Sequence, residues 1–207
     1  MNPRYGICLA AVLAFGSAAP ALAATKPLPK SCSLLSDSPG DATQAAGPSS
    51  DSIDIVGGDL GSGAKNLVVL LRLKSLAKDP LTTPGATYVF TWQAGATKQS
   101  ATLLQFSDGT RKAAFKADAA TGSNVAEVPV GYVVDTATAT ILWSIPRRVV
   151  PQLKTKGVKF TGLAASARPA VNIAMPTGSA STTILNGDEA SSPRSYVDST
   201  PTCVKGI

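Results

Sequence analysis

Histidine is absent from all 207 residues. Its absence removes Ser-His-Asp and Cys-His nucleophilic machinery and every zinc site that needs an imidazole. Haem loses its commonest axial ligand too, and the only methionine beyond Met1 is Met175. Aromatic residues make up only 5% of the chain, and they do not interleave with the basic ones, which excludes the usual nucleic-acid readers. Apolar runs are short as well. The longest, Ile7 to Phe15, falls well below the roughly 20 residues a membrane span requires, so no membrane span is expected.

What is present at the start is an address. Arg4 supplies a positive lead, the run from Ile7 follows, Pro20 breaks it, and Ala21-Leu22-Ala23 forms a small-x-small site. Cleavage is expected before Ala24, giving a signal peptide over residues 1–23, a single domain over residues 24–207 and a secreted, extracellular protein. Cys8 leaves with the leader, so Cys32 and Cys203 remain, one near each end. In an oxidising compartment they are expected to pair with each other; two free thiols or an intermolecular bridge are the alternatives. Closing so long a loop would constrain the unfolded chain by up to about 5 kcal/mol. The net charge of +6 gives a basic surface suited to anionic glycans, cell-wall polymers or membrane headgroups. The adjacent pair Arg147-Arg148 is either an anchor for such a polymer or a solvated turn.

Periodicity of two dominates the rest. Residues 35–52 have no hydrophobic period and read as a loop; Ile53 to Leu60 reads as a strand bent at Gly57-Gly58. Leu67 to Leu73 is apolar on both faces and predicts a central strand. Tyr88, Phe90 and Trp92 share one face of the next strand, and Ala94-Gly95 turns it into another over Thr97 to Phe106. Ser107-Asp108-Gly109 signals a second hairpin into Arg111 to Lys116. Further strands are expected at Val125 to Val134, Ala137 to Ile145 and Lys159 to Ser166, with one turn of helix after Pro146. Residues 169–186 are expected to form a mobile loop, after which the tail returns to the body of the domain. Strands recurring every eight to twelve residues or so predict an all-β, antiparallel two-sheet sandwich, jelly-roll-like, in one domain.

The densest chemistry is acidic. From Ser31 to Ala64 there are five aspartates, at 37, 41, 51, 54 and 59, and no Lys or Arg. Calcium takes six to eight hard oxygens, and Asp37-Ser-Pro-Gly-Asp41 has carboxylates around a glycine that permits a positive φ. Asp54 can project from the neighbouring strand. Asp37 lies five residues after Cys32, and Asp198 five residues before Cys203, so termini running side by side from a bridge would bring both aspartates to one level. Asp37, Asp41, Asp54 and Asp198 are therefore the candidate ligands of a structural Ca2+. Capping and turn aspartates that bind nothing are the alternative.

Four short motifs resemble a known pattern: Asp37-Ser-Pro-Gly-Asp41, Ile53-Asp54-Ile55, Ile141-Leu-Trp-Ser-Ile-Pro146 and Gly157-Val-Lys-Phe160. Together they look like the DOMON-like superfamily, which includes the family 9 carbohydrate-binding modules. The resemblance implies a jelly-roll-like sandwich, calcium near the N-terminal acidic loop, and ligand binding without catalysis. Sugar-binding members hold a saccharide between exposed aromatics, which makes Trp92 the candidate ligand-binding residue. The opposing reading is that Trp92 and Trp143, sharing faces with Phe90 and Ile141, are core. The expected function is a non-catalytic binding module for a glycan or cell-surface ligand. A structural or protein–protein interaction domain is the rival, and a secreted protease inhibitor ranks behind both, because no internal disulfide braces an exposed loop.

Overall fold

In a computed structural model, residues 33–43, 51–76, 85–106, 109–118, 127–155, 157–169 and 187–204 are described. The expected leader, Cys32 and nearly all of the expected mobile loop at 169–186 lie outside these residues. Strands follow the alternation of apolar side chains: β1 Leu35–Ser36, β2 Ile55–Ser62, β3 Asn66–Leu73, β4 Ala86–Ala94, β5 Thr97–Gln105 and β6 Arg111–Ala117. They continue with β7 Val128–Pro129, β8 Gly131–Asp135, β9 Thr140–Pro146, β10 Lys159–Pro169, β11 Asp188–Ser192 and β12 Tyr196–Val197. Two antiparallel sheets result. One has the order β1-β2-β3-β9-β8; the other runs β11-β10-β4-β5-β6-β7, with β12 pairing β10. No α-helix occurs among the described residues. The expected turn after Pro146 is a pair of short 3-10 turns, Arg147–Val149 and Pro151–Lys154.

The sheets close on each other through their inward rows. Leu67, Val69 and Leu71 of β3 and Ile141, Trp143 and Ile145 of β9 meet Tyr88, Phe90 and Trp92 of β4, and every one of them is buried. Trp92 lies between Phe90 and Phe115, with ring centroids 6.3 and 6.2 Å away. The bend expected at Gly57-Gly58 is a register shift between Ile55 and Gly57. Packing explains the glycines here: a Cβ on Gly58 would lie 2.5 Å from the Phe90 ring, inside any tolerable contact. With no side chain at Gly58, the two sheets approach closely there.

The expected strand Val125 to Val134 is two strands in two sheets. β7 pairs β6, and β8 pairs β9. Pro129 stands near the handover, and the Val130 N–H makes a last bond to the Ala113 carbonyl of β6 at 3.2 Å before the chain enters β8. The segment between them crosses the side of the sandwich, and that crossing frames the cleft described below.

Candidate functional site

β2 serves as a ruler for the carboxylates. At its Ile55 end, Asp188 of β11 accepts the Ile55 N–H at 2.6 Å, and Asp54 accepts the Gly40 N–H at 2.6 Å. Gly40 takes φ +98°, the positive value expected of it, and this turns the 37–41 loop back over Asp54. The Thr43 N–H donates to the Gly187 carbonyl at 3.2 Å, fastening the same loop to the start of β11. Carboxylate oxygens of Asp37, Asp41 and Asp188 consequently lie within 4.8 Å of one another.

The electrostatics of that group are strained. Burial raises the Asp37 carboxyl above its ordinary value, and the Asp41 and Asp54 charges push it further the same way against one Ser38 N–H. Burial likewise raises Asp188, opposed by the Ile55 N–H and reinforced by Asp37 and Asp41. Lys74 is the nearby cation, 2.8 Å from Asp51 and 3.6 Å from Asp54. Two buried oxygens, Asp37 Oδ2 and Asp54 Oδ1, have no hydrogen-bond partner, although Asp54 is only 1% exposed. Calcium–oxygen distances of about 2.3–2.6 Å allow ligands on opposite sides of one ion to stand up to about 5 Å apart, which this group satisfies. Asp54, expected as a ligand, lies outside the three-carboxylate group and is engaged by the Gly40 N–H and Lys74. The donor set of Asp37, Asp41 and Asp188 is hard oxygen throughout, with one buried Asp37 oxygen unpartnered, so these residues fit Ca2+.

Asp198 is not in that group. It sits at the Ser62 end of β2, roughly 24 Å along an extended strand from Ile55. There it takes a bidentate pair of bonds from Arg147 at 2.8 and 2.7 Å and a third from the Ser62 hydroxyl. The equal spacing of Asp37 and Asp198 from the two cysteines misled because the chain runs away from Ser33 in one direction along β2, while the tail arrives from the other. Asp188 replaces it. The Gly187-Asp188 step, which echoes Gly40-Asp41, was its available signal. The first and last described segments both lie against β2: the Leu34 N–H donates to Asp59, and Thr202 and Val204 close on Gly61.

Trp92 is not a ligand platform. It is fully buried, and its Nε1–H donates to Gln99, which in turn bonds Gln152. Trp143 is equally buried. An exposed aromatic stands elsewhere, at Tyr132 of β8, which is 37% exposed. It flanks a cleft of about 530 Å³ floored by Thr102 and Leu104 of β5 and Lys112 of β6, and walled by Glu127 and Val130. Alternation explains the floor: Ala101 and Leu103 turn inward, so Thr102 and Leu104 face out. The Tyr132 hydroxyl lies 3.5 Å from the Arg111 carbonyl, so its ring spans the gap between the two sheets at their edge. The sequence marked this residue only as part of the expected strand Val125 to Val134, with nothing to show which of its side chains would stand exposed.

No family model matches the chain, and comparisons with curated proteins and with solved structures likewise find no significant match.

Proposed function

We propose that this protein is a secreted, non-catalytic binding module that engages a glycan or other cell-surface ligand, with a structural Ca2+ at its acidic loop. The observation that carries the reading is the cleft beside Tyr132, whose volume falls in the range of about 300–1,000 Å³ typical of ligand sites and which combines apolar walls with a few polar groups. The resemblance to DOMON-like and family 9 carbohydrate-binding modules points the same way. Calcium would be held by Asp37, Asp41 and Asp188, in place of the expected set that included Asp54 and Asp198. Its part is structural: it would neutralise carboxylates that otherwise repel one another and so fix the 37–41 loop against β11. The Cys32–Cys203 bridge belongs to the same proposal.

Incubation with insoluble cell-wall and plant polysaccharides tests the function. Retention on at least one of them is expected, and failure to be retained on any would remove the glycan reading. The second reading, a protein–protein interaction domain, is favoured by one observation: among the described residues β8 pairs only β9, and its Val133 is 48% exposed. Specific co-purification of one protein partner through β8, lost in Val133→Lys, would favour it over the first.

A further inference from the structure

We infer that the cleft between β5–β6 and the β7–β8 crossing takes a neutral polyhydroxylated ring, one or two sugar units without net charge, laid against Tyr132. The inference rests on the binding-module reading and assigns that reading a place and a ligand class. Four large apolar side chains are notably exposed among the described residues: Leu104, Tyr132, Val133 and Val197. Two of them, Leu104 and Tyr132, line this cleft. Exposed apolar side chains from both sheets thus face one cleft, as at a site that is covered when in use.

The polar groups specify the rest. Lys112 and Glu127 both line the cleft, yet among the described residues neither is within 4.0 Å of an oppositely charged group. The Lys112 ammonium stands 5.6 Å from the centre of the Phe106 ring, which holds it at the rim. A donor and an acceptor placed together with no ion pair between them match a hydroxyl, which can give and take a hydrogen bond at once. The Thr102 hydroxyl adds a third such group. An anionic ligand drawn to Lys112 would meet the Glu127 carboxylate, and a cationic one drawn to Glu127 would meet Lys112. A wholly apolar ligand would cover all three polar groups without satisfying any. A pyranose ring supplies hydroxyls at its edge and C–H bonds on its face, the latter suited to Tyr132 and Leu104.

The test uses the secreted protein labelled with 15N and titrated with cellobiose and N,N′-diacetylchitobiose, alongside an anionic galacturonic acid dimer and the cationic deacetylated chitobiose. A neutral disaccharide is expected to shift amides of β5, β6 and β8 and to bind at least tenfold more tightly than the charged pair. Tyr132→Ala and Lys112→Met should each weaken it about tenfold or more, and Tyr132→Trp should restore binding, with near-ultraviolet circular dichroism confirming the fold of each variant. Saccharide binding that shifts amides elsewhere, or that survives both variants, would overturn the placement while leaving the binding-module reading standing. Preference for a charged dimer would overturn the ligand class. No binding by any of the four would overturn the inference; retention on a polysaccharide would then still support the module by another surface.

Discussion

A carboxylate taken out of water needs donors, and Asp198 and Asp188 show two ways of supplying them. Burial pushes Asp198 up, but the Arg147 guanidinium and the Ser62 hydroxyl more than reverse it, leaving the group below its ordinary value of 3.8. Its folded form therefore contributes stability above pH 3.8 that is lost as pH falls through the lowered value. Arg147 keeps 20% of its side-chain surface, so the loss on Asp198→Asn should fall below the full cost of breaking a buried pair, at about 2–3 kcal/mol in urea unfolding. Steric necessity governs Gly58 instead. Gly58→Ala would drive a methyl into Phe90 and toward the Leu70 carbonyl, and a loss of about 1–3 kcal/mol is expected from the same measurement. Trp92→Phe should lower stability and leave ligand retention unchanged, because the ring is interior.

The 37–41 loop and the start of β11 make the element whose behaviour depends on solution conditions. Both Asp37 and Asp188 are raised above 3.8, the reverse of Asp198. For such groups the folded state binds more protons than the unfolded one, so without a cation their effect on stability should improve as pH falls from neutral through the raised values. Bound Ca2+ would abolish that trend. At 100 times its Kd it should add about 2.7 kcal/mol, some 5–10 °C in Tm for a chain of this size, compared with EDTA. Asp41→Asn is the informative variant, since Asp41 is exposed whereas Asp188 also anchors the Ile55 amide. An unchanged Tm with and without calcium would reduce the group to turn aspartates. Much of the element structure was legible from alternation alone: the inward row of β4, the bend at Gly57 and the positive φ at Gly40 follow from residue types and their spacing. The place of Asp188 in the acidic group was not, because partnership across 133 residues is decided by which strands become neighbours, and no local pattern carries that information. Nor was Tyr132, since an apolar run reads alike whether both faces are covered or one side lies at the border of a sheet.

For the whole molecule, the first and last described segments both reach β2. Ser33 accepts a 2.8 Å bond from Arg194, Leu34 bonds Asp59, and Thr202 and Val204 press on Gly61. A Cys32–Cys203 bridge would cross-link these segments, and non-reducing peptide mapping of protein produced under oxidising conditions should recover the two cysteine peptides as one species. Reduction is expected to lower the unfolding free energy by about 2–5 kcal/mol; two separate alkylated peptides without prior reductant would exclude the bridge. Strand order adds a consequence for timing. β10 lies between β11 and β4, so the larger sheet gains its interior neighbour only from residues 159–169, after most of the chain has been made. Until they arrive, the edge of β4 stays open, although β3 and β9, which cover its aromatic row, have already been made. A copy halted before residue 159 would therefore carry β4 as an unpaired border, and it should self-associate more readily than the full chain.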